Sequence, residues 1–230
     1  MPLKITDENI TLLMDTYGMR LLYYAGRLCS CVAENGGQPR ANCGCDLGYW
    51  YEETPEEFYG IKTNYSYKFI NTPQGRIFDG GARFTIPKFY NGKEQIVYSK
   101  ITHGDIIVIP SKVRRETEIL RKGVRDKLYS FDVKKIWVIS QEGKVYKPNV
   151  DYTLNGREIA WFGDMPNDGE YYTVEYSCSQ QFKVWDIGAN SRGGDEENLP
   201  IVLNTVIRRF TENKEENSID SVKFSERLLP

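Results

Sequence analysis

The chain lacks most of the side chains on which hydrolytic catalysis depends. Histidine occurs once in 230 residues, at His103, and no serine or cysteine stands in a recognisable nucleophile motif. A Ser–His–Asp or Cys–His arrangement needs a histidine base beside its nucleophile, so triad chemistry has almost no support. His103 has an acidic neighbour in Asp105, but the intervening glycine makes a turn residue the better interpretation. We therefore expect no enzyme activity.

Long apolar runs and an excess of one charge are also missing. No segment approaches the roughly 18 apolar residues of a membrane helix, and no basic-then-apolar signal sequence opens the chain. Lys and Arg total 30 against 32 Asp and Glu, a formal net charge of -2, so no global field attracts nucleic acid. We expect a protein of the reducing cytoplasm, with no membrane partner and only indirect contact with nucleic acid.

Cysteine is scarce, but four of the five cysteines lie within a span of seventeen residues. A turn-rich stretch separates Cys29 and Cys31 from Cys43 and Cys45. Two thiol pairs brought together by a loop supply the four soft ligands of a tetrahedral zinc site, and four thiolates leave no position open for catalysis. In a reducing compartment we favour structural zinc as the cofactor. Two disulfides or four buried free thiols remain as alternatives.

Residues 1–58 are predicted to form an N-terminal helix followed by this Cys-stapled loop. Thr6 is a suitable helix cap, and apolar residues from Ile10 to Tyr24 recur at helical spacing. The pattern predicts one amphipathic helix over residues 7 to 27.

Residues 59–210 are predicted to form a β-sandwich or barrel. Turn signals recur every eight to twelve residues, and apolar and polar residues alternate between them as in half-buried strands. The predicted strands are Ile61–Ile70, Arg83–Pro87, Glu94–Tyr98, Asp105–Ile109, Lys134–Ile139, Lys144–Tyr146, Glu158–Trp161, Tyr171–Tyr176, Gln181–Trp185 and Leu199–Phe210. Polar residues 211–230 are predicted to be a C-terminal arm. The fold class is therefore mainly β, with an N-terminal helix and a Cys-rich loop.

The stretch from residue 112 to residue 127 is locally basic. It contains Lys112, Arg114, Arg115 and further cations, diluted by three acidic residues. Contact with nucleic acid or with an acidic neighbouring subunit is one interpretation, and a solvated connection is the other. Of the two contacts, we favour the subunit.

Two consecutive segments resemble a known class of proteins. Val150–Trp161 reads VDYTLNGREIAW, and Met165–Tyr176 reads MPNDGEYYTVEY. They resemble a hairpin pattern of virion proteins of tailed bacteriophages, in which a strand pair of the form DYxLxGxxIxW is followed by PxxGxxYxVxY. The residues expected to share one face are Tyr152, Leu154, Ile159, Trp161, Tyr172, Val174 and Tyr176. The segments Gly81–Pro87, Gly104–Ile107 and Leu199–Arg209 also resemble phage neck or tail-connector proteins.

The resemblance implies a non-enzymatic structural protein that forms a ring layer at the phage neck, where head and tail join. It implies localisation in the virion after assembly in the host cytoplasm, with copies of itself and adjacent neck, portal or tail proteins as partners. A tail-tip or baseplate adaptor subunit is one alternative, and a soluble zinc-stapled β module that binds a ligand is another. The residues expected to make subunit contacts are Leu13, Tyr17, Leu21, Arg114, Arg115, Arg192 and Phe224.

Overall fold

The fold is mainly β, as the sequence predicts. A computed structural model describes residues 7–38, 40, 43, 45–46, 48–64, 71–72, 75–76, 81–188 and 200–208. The helices are α1 (Asp7–Tyr17), α2 (Ser30–Glu34) and α3 (Val97–Lys100). The strands are β1 (Met19–Tyr24), β2 (Gly26–Leu28), β3 (Tyr49–Tyr51), β4 (Glu56–Asn64), β5 (Asn71–Thr72), β6 (Gly75–Arg76), β7 (Ala82–Ile86), β8 (Phe89–Tyr90), β9 (Lys93–Glu94), β10 (Ile106–Arg121), β11 (Val133–Gln141), β12 (Lys144–Tyr146), β13 (Tyr152–Asn155), β14 (Glu158–Trp161), β15 (Tyr171–Gly188) and β16 (Ile201–Ile207). None of the helices in these ranges is long and apolar enough to cross a membrane.

The N-terminal helix is shorter than predicted. It ends at Tyr17, and β1 and β2 occupy the rest of the range assigned to it. At the helix end, a Cβ on Gly18 would lie 2.3 Å from the carbonyl oxygen of Met14, so the absence of a side chain permits this turn. The run Leu21–Tyr24 is buried along its whole length, and a short continuous apolar run fits a buried strand as well as a helix. Leu21 is 0% exposed, so the prediction that it makes subunit contacts is wrong.

The chain divides into two compact units. Unit 1 comprises residues 1–112 and 180–207, and unit 2 comprises residues 113–179 and 208–230. This division differs from the predicted one at residues 58 and 210, because β10 and β15 are long strands whose halves belong to different units. Turn spacing in the sequence does not reveal strands of this length.

Unit 1 is a closed ring of antiparallel strands. Its order is β10-β1-β4-β7-β16-β15, and the pairing of β10 with β15 closes the ring. Backbone bonds from Gly104 to Val184 (2.9 Å) and from Val184 to Asp105 (2.8 Å) join β15 to the residues that lead into β10, within unit 1. Phe84 and Phe182 meet edge to face inside, with ring centroids 5.3 Å apart, among other fully buried apolar residues. Unit 1 therefore takes the closed form of the two predicted alternatives.

Unit 2 contains the hairpin formed by β13 and β14. β13 pairs with β14, with Tyr152 opposite Trp161 and Leu154 opposite Ile159. The hydrophobic core of unit 2 contains Tyr152, Ile159, Tyr172, Val174 and Tyr176, with Leu154 and Trp161 packed against it. The hairpin part of the predicted shared face is confirmed, whereas Tyr172, Val174 and Tyr176 belong to β15 in another sheet and pack in the same core.

Three further outcomes concern a predicted strand, the basic stretch and the segments that lie outside the described residues. The predicted strand Glu94–Tyr98 is wrong, because β9 ends at Glu94 and Val97 begins α3. The interpretation of the basic stretch as a solvated connection does not hold for its first part, because residues up to Arg121 belong to the strand β10. Residues 65–70 of the predicted strand Ile61–Ile70 and the predicted arm at 211–230 lie outside the described residues.

Candidate metal centre

The four clustered cysteines converge in unit 1. The Sγ atoms of Cys29, Cys31, Cys43 and Cys45 all lie within 4.8 Å of one another. Cys29 and Cys43 are separated by 3.6 Å between sulfur atoms, as are Cys31 and Cys45. All four are free cysteines. Two thiol pairs from opposite sides of a loop therefore form a single cluster close enough to hold a metal ion.

A short hairpin positions two sides of the cluster. β2 pairs with β3 so that Leu28 lies opposite Tyr49, which places Cys29 just beyond one strand and Cys45 shortly before the other. The amide of Cys29 donates to the carbonyl of Gly48 (2.7 Å), and Gly48 takes a positive φ of 86° that favours glycine. The hairpin therefore fixes the separation between the two halves of the loop.

The cysteine sulfurs accept several hydrogen bonds. The backbone N–H of Cys31 donates to the Cys29 sulfur, and the indole Nε1–H of Trp50 donates to the same sulfur over 3.2 Å. Led by the backbone bond, these contacts lower the pKa of Cys29 to about 7. The Arg40 amide bonds the Cys31 sulfur, but burial and the neighbouring thiols raise the pKa of Cys31 overall. Burial raises the pKa of Cys45 to about 12.

The geometry fits a tetrahedral metal ion. With Zn–S bonds of about 2.3 Å, the sulfurs of a regular tetrahedron are about 3.8 Å apart. Two of the sulfur pairs stand at 3.6 Å and the whole set stays within 4.8 Å. Cys29 and Cys31 are buried, at 4% and 5% exposure. Within the described parts of the chain this is the one group of three or more His, Cys, Asp or Glu side chains close enough to share a metal.

Two tyrosines of β3 attach the Cys loop to the start of β10. The Tyr51 hydroxyl donates to the carbonyl of Gly104 (3.1 Å), and Tyr49 packs where a Cβ on Gly104 would lie 2.4 Å from its ring. Gly104 also has a φ of 94°, so only glycine fits this contact without strain. The Lys183 ammonium lies 4.6 Å from the centre of the Tyr49 ring. Aromatic packing thus fixes the loop in place.

Asp105 serves the same attachment. Its carboxylate accepts hydrogen bonds from the amides of Gly26 (2.7 Å) and Thr102 (2.6 Å) and from the Tyr23 hydroxyl (3.0 Å). Burial raises the pKa of Asp105 despite these donors. His103 is exposed and lies 5.7 Å from the Trp185 ring, between ring centroids. The structure therefore supports a turn residue at His103.

The described residues that the sequence predicts to make subunit contacts belong to α1, β1 and β10. Leu13 and Tyr17 are exposed on α1, at 47% and 62%. Arg114 pairs with Glu116 (2.9 Å), and Arg115 pairs with Glu175 (2.6 Å). Arg192 and Phe224 lie outside the described residues.

Trp50 is a site residue that sequence reasoning missed. It follows Cys45, the last cysteine of the cluster, by five positions, in a strand whose two tyrosines face the other way. Alternation along Tyr49–Tyr51 therefore indicated that Trp50 faces away from the tyrosines, though not that it reaches Cys29.

Sequence comparison with known proteins assigns no family to this chain. No protein-family model matches the sequence, and no curated protein sequence matches it. The structure defines a class, a mainly β protein of two units with a four-cysteine cluster able to hold a metal ion.

Proposed function

We propose that the protein is a structural subunit of a tailed-bacteriophage virion, forming a ring layer at the neck. One observation supports the proposal: the residues that resemble the phage hairpin pattern pack together in the hydrophobic core of unit 2. The Trp161 ring meets Tyr146, Tyr152 and Tyr172 edge to face, with centroids 5.1, 5.8 and 5.2 Å away. The motif is thus a folded core element of unit 2.

The four cysteines hold structural zinc in this proposal. Sulfur donors in a tetrahedral set suit zinc, and four protein ligands leave no open position for a substrate or a water nucleophile. The site closes a loop whose other attachments are the tyrosine and Asp105 contacts with the start of β10. Zinc therefore rigidifies a surface loop, and the protein acts mechanically through its shape and contacts.

Replacing Trp50 with phenylalanine tests the indole bond to Cys29. Because Trp50 is half exposed, we expect the variant to fold normally. Because it loses the Nε1–H donor to Cys29, we expect its zinc affinity to be about tenfold lower, as for other outer partners of metal ligands. Competition with a chromophoric chelator measures the affinity.

Trp185→Phe is the matched control, because Trp185 is 53% exposed in the same unit and lies beside His103. Equal zinc affinities for the two variants would contradict a role for the indole.

Quantitative mass spectrometry of purified phage particles tests the proposed function. A copy number of about six or twelve per particle is expected for a cyclic layer on the tail axis. A location at the neck in labelled particles would separate this layer from a tail-tip or baseplate adaptor. Absence of the chain from particles would refute the virion role and favour the zinc-stapled binding module.

A further inference from the structure

Unit 2 exposes a mixed basic and apolar row of side chains on β10. The alternating side chains along Val113–Arg121 point outward, whereas Glu118 and Leu120 between them are buried. We call the five exposed side chains the β10 outer row: Val113, Arg115, Thr117, Ile119 and Arg121. Val113 and Ile119 are 58% and 50% exposed, so the row offers apolar surface as well as charge.

Among the described strands, none neighbours β10 on one of its sides along this row. Over the described ranges its sheet neighbours are β1 and β15, and the register with β1 ends at Val108. On its other side, β10 pairs with β15. Directly after the end of β10, the Lys122 amide donates to the Glu170 carbonyl (2.9 Å). From Val113 onward β10 is therefore an edge strand of the described sheet. Such an edge accepts an additional strand through main-chain hydrogen bonds.

The cations of the outer row are held in fixed positions. The Arg121 guanidinium lies 5.5 Å from the centre of the Tyr171 ring, and its Nε donates to the Gly169 carbonyl (2.8 Å). The Arg115 guanidinium lies 5.5 Å from the centre of the Trp137 ring and pairs with Glu175. Each guanidinium has five N–H donors, so these contacts leave donors for an incoming carboxylate.

This surface suits a protein strand better than a nucleic acid. Base stacking needs an uncovered aromatic face, but Lys135 lies 4.0 Å from the centre of the Trp137 ring and Arg121 lies over Tyr171. Apolar Val113 and Ile119 offer nothing to a phosphate backbone. The fitting partner is a strand that places carboxylates opposite the arginines and an apolar side chain opposite Ile119.

The chain carries a segment with this pattern. Residues 218–226 read SIDSVKFSE and lie outside the described residues. Laid parallel to β10, the segment gives the pairs Ser218–Val113, Asp220–Arg115, Val222–Thr117, Phe224–Ile119 and Glu226–Arg121. Both acidic residues then face arginines, and the large apolar residue faces Ile119. No like charges meet.

We propose that residues 218–226 of a second copy of this chain bind the open edge of β10 as an added parallel strand. The inference rests on the proposed function, since it assigns the contact through which copies would assemble. A contact between a C-terminal segment and an edge strand joins different surfaces of the two copies. Repeated head-to-tail contacts of this kind close into rings when the rotation allows.

Charge reversal on the two sides of this contact tests the proposal. Sedimentation velocity over a range of concentrations measures self-association of the full chain, with circular dichroism as a check on folding. We expect Arg115→Glu with Arg121→Glu, and separately Asp220→Arg with Glu226→Arg, to weaken association at least about tenfold. Combining all four substitutions restores opposite charges and is expected to restore association. Lys93→Glu, an exposed cation of unit 1, is the control and should have no effect.

Two results would overturn the proposal. Equal association of wild type and both reversed pairs would exclude the contact, and failure of the fourfold variant to recover would exclude the register. A synthetic peptide of residues 214–230 gives a second reading, by its binding to the Asp220→Arg/Glu226→Arg full chain. If the peptide binds but the wild-type chain stays monomeric, the segment docks within one copy, and the role of a second copy is refuted. These measurements use purified protein, so they stand or fall separately from the particle composition that tests the virion role.

Discussion

Replacing Cys31 with serine is expected to remove stoichiometric zinc binding. Cys31 is 5% exposed, and its sulfur lies 3.6 Å from that of Cys45, so its loss takes one of four ligands from the interior of the cluster. Loss of an outer partner alone costs zinc sites about 10–100-fold in affinity, so the loss of a ligand should exceed 100-fold. Elemental analysis after dialysis against a weak chelator measures the bound metal. Serine keeps the size of the side chain, which separates ligation from packing.

The fifth cysteine provides the control for this experiment. Cys178 is fully buried in the core of unit 2, so Cys178→Ser should lower stability while zinc content stays at that of the wild type. Intact mass of the unreduced protein decides the disulfide alternative, because each disulfide removes two hydrogens. Zinc retention by Cys31→Ser, or metal-free protein with two disulfides, would contradict the proposed site.

Replacing Glu118 with alanine is expected to destabilise unit 2 by about 3–5 kcal/mol, the usual cost of breaking a buried charged network. The Glu118 carboxylate is 0% exposed and accepts hydrogen bonds from the Tyr129 amide (2.9 Å), the Tyr176 hydroxyl (3.1 Å) and Arg125 (3.3 Å). Burial, followed by the charge of Glu118, raises the pKa of Tyr176, which keeps that hydroxyl protonated as a donor. Alanine leaves the Tyr129 amide without its carboxylate acceptor. Differential scanning calorimetry measures the loss, expected as a transition lowered by roughly 10 °C.

A conservative and an exposed variant complete the test. Glu118→Gln keeps one acceptor oxygen, so it should lose less stability than alanine. Glu158→Ala removes an exposed glutamate of β14 and should change stability by less than about 0.5 kcal/mol. Equal effects of the alanine substitutions at residues 118 and 158 would show that the buried network contributes nothing.

The cysteine cluster and the β13–β14 hairpin were predictable because their signals are local. Four thiols within one short loop must lie near one another, and the Asn155–Gly156 turn sets the register that brings Leu154 opposite Ile159. The confirmed mainly β class follows from the same kind of signal, the alternation of apolar and polar residues between turns.

The parts that sequence reasoning missed depend on contacts between distant segments. Leu21 reads equally well as a helix position or a strand position until β4 and β10 cover β1 on both sides. Glu118 reads as one of several charges in a basic stretch, because its partner Tyr176 is 58 residues away. The extent of β10 and β15 depends in the same way on their mutual pairing. Pairing between remote strands decides these features, and no local pattern encodes it.

The aromatic packing around Trp161 makes unit 2 optically distinguishable from unit 1. The other three tryptophans, Trp50, Trp137 and Trp185, are each about half exposed, whereas Trp161 lies among three tyrosine rings and donates to Asp126 (3.3 Å). An indole held among fixed rings gives strong near-ultraviolet circular dichroism and a blue-shifted emission. The chain therefore contains its own spectroscopic probe of unit 2, and loss of that signal reports the opening of this unit without any added label.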